Sequence, residues 1–141
     1  MKKDVFISIR GTQTAPDGEP ETIELTTAAT LEQNDGCTIL RYQESDLTGL
    51  DGTTTAFYIE PDRIVLERTG TVESVMEFEA GKYTESLYRI AEGALLLRVY
   101  ARKMEVHLES IPGWFSLTYG IEIEGTPMGS IDYHITVQPE V

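Results

Sequence analysis

The residues of this chain that could carry chemistry are few, and each must be weighed against the strand or turn that holds it. Ser130, Asp132 and His134 fall at alternate positions and supply the residue types of a hydrolase triad. On an extended strand, same-face neighbours stand about 6.6 Å apart, so Ser130 and His134 are about 13 Å apart with Asp132 between them. A working triad needs its histidine in the middle, bonded to both partners. A solvated strand face accounts for this spacing better. The other histidine, His107, falls two strands away from His134, and no His-x-His or Glu-x-x-His pair signals a metal site. Gly49-Leu50-Asp51-Gly52 is a turn with two glycines, not a phosphate cradle opening a helix. The expectation is no catalytic residue, no metal and no cofactor.

Charged residues on strands that otherwise read as core say more. Glu44 shares strand parity with Leu40 and Tyr42, and Arg68 shares parity with Ile64 and Leu66. Both charges therefore belong to faces that should turn inward. Two readings stand side by side: a charge pair inside the fold, or strand ends that bend at the 45–51 loop and at Gly70 and expose both groups. Arg98, Tyr100 and Arg102 also share a face, and an Arg-x-Tyr strand resembles the carboxylate hold of fatty-acid-binding proteins. Leu95, Leu97, Val99 and Ala101 occupy the opposite face and are better core candidates, so the arginine face is expected outside.

The elements that must position these groups are strands. Turn signals recur at short intervals: Pro16-Asp17-Gly18, Asn34-Asp35-Gly36, Asp51-Gly52, Pro61-Asp62, Ala80-Gly81, Glu92-Gly93, Pro112-Gly113 and Gly125-Thr126-Pro127. The segments between them are short and rich in β-branched and aromatic residues. Phe115, Leu117, Tyr119, Ile121 and Ile123 alternate with polar neighbours, as do Ile131, Tyr133, Ile135 and Val137, and Ile23, Leu25, Ala29 and Leu31. One buried and one wet face describe an antiparallel sheet. About ten strands are expected, near 4–13, 21–33, 37–44, 53–60, 62–69, 72–79, 82–91, 94–101 and 104–110, with a final hairpin 114–124/128–138. Segment 82–91 carries helical spacing at Leu87, Ile90 and Ala91, but Tyr83, Thr84, Tyr88 and the flanking glycines favour a strand. Closing such a meander into a barrel removes its exposed edges.

Length and charge set the remaining bounds. The 141 residues suit one domain, 1–141, with no linker and no repeat. Twenty-four acidic against 11 basic residues give a net charge of −13, which disfavours nucleic acid and anionic membranes. Solubility in a bacterial-type cytosol is the plain reading of that charge, and a basic partner protein the sharper one. The single cysteine, Cys37, excludes an internal disulfide and reads as a small buried filler. The apolar run Val5–Ile9 stops at Arg10, too short for a signal core, so a cytoplasmic monomer or weak homodimer is expected.

With the strands placed, Tyr42-Gln43-Glu44-Ser45 followed by Thr48-Gly49 resembles the third strand and loop of a bacterial family of small calycin-like barrels of unknown function, typified by the YwiB protein of bacilli. Leu66-Glu67-Arg68-Thr69-Gly70 is similar to its Arg-x-Gly strand end, and Leu117-Thr118-Tyr119-x-Ile121-Glu122-Ile123 to its final hairpin. The order and spacing of these motifs run over nearly the whole chain. The pattern departs at Ile90, where the family carries a small hydroxyl residue two positions after the tyrosine. The resemblance implies an all-β calycin-type barrel, a group that includes lipocalins and fatty-acid-binding proteins, and it implies no activity.

The functional expectation is a non-catalytic binding module holding a small, partly apolar or anionic ligand inside the barrel, with Tyr42, Glu44, Arg68 and Tyr119 as its residues. The alternative is an interaction or structural protein with a filled barrel, working through its acidic outer face. Interior volume separates the two. A ligand barrel needs roughly 300 Å³ or more, whereas a filled one brings Phe57, Phe78, Trp114, Phe115, Tyr119 and Tyr133 together across its centre.

Overall fold

A computed structural model describes residues 2–140. Ten strands follow one another: β1 (Lys2–Thr14), β2 (Glu21–Asn34), β3 (Cys37–Gln43), β4 (Thr53–Glu60), β5 (Arg63–Gly70), β6 (Glu73–Phe78), β7 (Tyr83–Ile90), β8 (Gly93–His107), β9 (Gly113–Ile123) and β10 (Thr126–Pro139). Each pairs antiparallel with the next, and β10 pairs back onto β1, so the sheet closes into a barrel without free edges. Among the described residues there is no helix. The ambiguous segment 82–91 is indeed a strand, β7.

Local chemistry explains the tight connections. Asp35 and Gly36 both take positive φ, 43° and 83°, as do Glu124 and Gly125, at 50° and 82°. Two consecutive left-handed residues form the turn whose twist matches that of paired strands, and glycine at the second position removes the steric cost. These two turns fix the β2/β3 and β9/β10 registers, Asn34 opposite Cys37 and Ile123 opposite Thr126.

One expected boundary is corrected. Segments 94–101 and 104–110 are not two strands: residues 93–107 run continuously as β8, with a bulge at Arg102 between Ala101 opposite Tyr119 and Lys103 opposite Thr118. The extra residue switches the inward parity, from Leu97, Val99 and Ala101 to Met104 and Val106. In the sequence that switch reads as a strand end. Arg98 and Arg102 lie on the outer face as expected, and Arg98 sits 4.3 Å above the ring of Tyr83, which in turn packs on Tyr100.

The interior is filled by rings through much of its depth. Phe57 meets Phe115 at 5.3 Å and Tyr133 at 6.2 Å, while Phe78 meets Tyr119 at 4.6 Å. Trp114 does not join them. It lies on the outer face between His107, at 4.5 Å, and His134, at 5.0 Å, because its register places it one position away from inward Phe115. Two other expectations fail at the ends of strands. Ile23 has the inward parity but is exposed at the barrel rim, and Cys37 is only half-buried where β3 leaves its turn. Partial burial and the nearby Glu60 carboxylate still raise the Cys37 thiol above its ordinary pKa.

The alternation of β9 makes a direct test. Leu117 is fully buried, while Thr118 lies on the outer face and donates to Asp132 at 2.9 Å. Leu117→Ala should cost about 2–5 kcal/mol through lost burial and the cavity left behind, and Thr118→Ala about 1 kcal/mol or less. Urea unfolding of the two variants measures the difference, and equal losses would mean a reversed register.

Candidate functional site

The barrel is apolar through its middle and polar at one end. Cross-strand register builds that polar layer: Tyr42 on β3 stands opposite Thr55 on β4, Thr55 opposite Arg68 on β5, Arg68 opposite Ser74 on β6, and Ser74 opposite Tyr88 on β7. All share the inward parity of their strands. Glu44, just past the end of β3, is drawn into the same layer because its backbone N–H donates to the carbonyl of Thr53 at 2.9 Å.

Both charges are inside. The side chains of Arg68 and Glu44 are 9% and 3% exposed, and Arg68 Nε lies 4.0 Å from Glu44 Oε2. Of the two readings left open by parity, the strand-end bend is therefore excluded and the internal pair holds. Attraction over that distance is about 4 kcal/mol at an effective dielectric near 20, before the desolvation that opposes it. Each Glu44 oxygen also accepts a hydroxyl, Oε1 from Thr48 at 3.0 Å and Oε2 from Thr55 at 2.5 Å. The carboxylate is thus well held.

Arg68 is not held as fully. A guanidinium carries five N–H donors. Among the described residues its one hydrogen bond to protein runs from Nη2 to the Tyr133 hydroxyl at 3.3 Å. Nε is buried without an acceptor, and so are the hydroxyls of Ser74, opposite Arg68, and of Thr53, two residues along β4 from Thr55. Burial works against the guanidinium charge, but the surrounding Tyr133, Tyr119 and Tyr42 and the Glu44 carboxylate outweigh it, and Arg68 stays a cation. Among the described residues, Glu44 is the other buried charged residue and the one that balances it.

A cavity of about 210 Å³ opens beside this pair, lined on its polar side by Tyr42, Glu44, Arg68 and Tyr133 and on its apolar side by Ile9, Leu25, Leu50 and Ile131. The exposed Gln13, Glu21 and Ile23, at the paired ends of β1 and β2, line its outer part. Three wider grooves, of about 390, 420 and 290 Å³, are lined by neither Glu44 nor Arg68.

Of the four residues singled out from sequence, the fold brings Tyr42, Glu44 and Arg68 to the cavity wall. Tyr119 does not line the cavity; it is fully buried beside it, its ring packed on Phe78 at 4.6 Å and on Tyr133 at 6.4 Å. Tyr133, Thr48 and Thr55 were missed. The parity of Tyr133 with Ile135 and Val137 marked it as inward, but only the closure of β10 onto β1 sets it against Arg68. Ser130, Asp132 and His134 lie on their own strand, Asp132 bonded to Thr118 and His134 stacked on Trp114.

Burial raises two hydroxyls of this region. Desolvation first, then the Glu44 carboxylate and Tyr133, pushes the Tyr42 pKa well above its ordinary value, and desolvation followed by Tyr133 does the same to Tyr119. Above about pH 10 an unfolded tyrosine loses its proton while these two keep theirs, so the native state binds more protons and stability falls as pH rises. The slope should approach about 1.4 kcal/mol per pH unit for each of the two. Tyr42→Phe and Tyr119→Phe should each flatten it in urea unfolding between about pH 10 and 12, and profiles parallel to the wild type would contradict the burial of these hydroxyls.

Comparison with known proteins agrees with this architecture. Among solved structures, the ywiB protein from Bacillus subtilis superposes with a TM-score of 0.86, covering 99% of this chain and 94% of that one at 19% sequence identity, a likeness of fold. No curated protein matches. A family model described as a domain of unknown function, DUF1934, matches residues 7–135, nearly the whole barrel from β1 to β10. The chain belongs to the DUF1934 family.

Proposed function

We propose that the polar end of the barrel is a non-catalytic binding site for a small, partly apolar anion, a carboxylate by preference. The observation that carries this reading is Arg68: a buried guanidinium with five donors, one of them bonded to protein, on the wall of a cavity. A carboxylate matches the guanidinium fork and would take up the Nη donors that no protein acceptor holds, Nε itself being enclosed. Ile9, Leu25 and Ile131 offer an apolar wall for a short tail.

Size narrows the class. At about 210 Å³, the space of about seven liquid waters, the cavity falls below the roughly 300 Å³ expected of a ligand barrel. Volume therefore counts toward the filled-barrel reading and leaves room for a small ligand alone. Short-chain acids fit this volume and long fatty acids do not. The ring-filled middle of the barrel favours the second reading, a structural or interaction protein acting through its acidic outer face. Buried donors without partners are what that reading leaves without a role. We further place the protein in the cytoplasm as a monomer or weak homodimer, reading its net charge of −13 as solubility.

Calorimetric titration with hexanoate, hexanol and hexylamine tests the site. Hexanoate should bind at least tenfold more tightly than the alcohol or the amine, about 1.4 kcal/mol or more, and Arg68→Lys should weaken it. Equal binding of all three, or binding of none, would refute the proposal.

A further inference from the structure

Resting on that binding site, we infer that it takes up its anion together with a proton, and that Glu44 is the internal carboxylate with which the ligand shares Arg68. In the free protein the buried cation Arg68 is faced by the carboxylate of Glu44 at 4.0 Å, and the pair is neutral as a whole. An entering carboxylate would make two anions against one cation in a space that water reaches only through the cavity. Two carboxylates at one buried site do not both stay ionised: one takes a proton and the pair titrates as a unit.

No other group around Glu44 can supply this coupling. Arg68 from β5 does not give up its proton in the accessible range. Tyr42 from β3 has its phenol pushed well above its ordinary range by burial, Tyr133 from β10 brings a hydroxyl to the cavity wall, and Thr55 from β4 and Thr48 from the loop after β3 do not titrate. Glu21 is the other carboxylate of the cavity lining, and it is exposed at the rim. Both histidines stand on the outer face, against Trp114. The step is therefore simple: ligand carboxylate and one proton from the buffer enter, one of the two carboxylates becomes the neutral acid, and the other faces Arg68. A neutral acid can donate a hydrogen bond where a carboxylate only accepts, so the two can share the site through that proton.

Glu44 thereby becomes a selectivity device. An anion binds readily when a proton is available and poorly in alkaline solution, and a neutral alcohol gains nothing from the pH. A proton count separates this from simple ion pairing with Arg68, which would involve none.

Titration of the full-length protein with hexanoate in phosphate and in Tris, whose ionisation heats differ, counts the protons. At mildly alkaline pH about one proton should be taken up per hexanoate bound, and Kd should weaken about tenfold per pH unit. Glu44→Gln should remove the buffer dependence and the pH slope and bind hexanoate more tightly in alkaline solution. Buffer-independent heats with a pH-independent Kd in the wild type would overturn the inference while leaving the binding site standing. Proton uptake that persists in a folded Glu44→Gln would overturn the role of Glu44. Failure of hexanoate to bind either protein would overturn the inference and the binding site together. If Glu44→Gln does not fold, the wild-type proton count alone decides.

Discussion

Arg68 puts a full positive charge inside a closed sheet, and the polar end of this barrel is arranged around that burden. A guanidinium removed from water must be neutralised and its donors bonded, or the strand that carries it will not stay in register. The fold supplies the neutralising charge from Glu44, one residue beyond the end of β3, and holds it with hydroxyls from Thr48 and Thr55. It supplies one direct acceptor from Tyr133, brought across by the closure of β10 onto β1. Arg68 Nε is left without an acceptor, as are the hydroxyls of Ser74 and Thr53. Charge is balanced here, but hydrogen bonding is incomplete, and that mismatch is the physical basis for a ligand.

The rest of the interior obeys the opposite rule. Below the polar layer, Phe57, Phe78, Phe115 and Tyr119 pack edge to face and tilted, with Ile7, Leu40, Leu66 and Ile135 fully buried around them. Such packing is close to crystalline and leaves no room for a second molecule. The division explains how one small barrel is both filled and hollow. The aromatic part fixes the strands in place, and the cavity at the end is the space that side chains of β1, β2 and β10 do not reach across.

Much of this was legible in the sequence, for reasons that differ from residue to residue. Strand alternation is strict wherever one face is buried, so the inward set of β9 and β10 follows from parity alone. The same parity argument turned Glu44 and Arg68 inward. It could not choose between a buried pair and a bent strand end, because that choice depends on the loop after Glu44 folding back through its hydrogen bond to Thr53. Arg102 shows the opposite failure: a bulge inserts one residue, parity switches, and one strand looks like two. Tyr133 and Thr55 were hidden for a third reason. Their roles arise from who sits opposite whom around a closed sheet, and a single sequence states the face of a residue but not its neighbour across the barrel. Parity turned Tyr119 inward correctly but carries no depth, so it could not say that its ring would pack on Phe78 and Tyr133 without reaching the cavity wall.

The account stands or falls on whether Arg68 and Glu44 form one buried pair, and a double-mutant cycle measures that most directly. Unfolding free energies of the wild type, Arg68→Met, Glu44→Gln and the double variant should show a loss of about 3–5 kcal/mol for Arg68→Met. Much of it should be recovered when Glu44→Gln is added, because the loss comes from a carboxylate left buried without its cation. Losses of a few tenths of a kcal/mol with no coupling between the two positions, as for an exposed ion pair, would contradict the account.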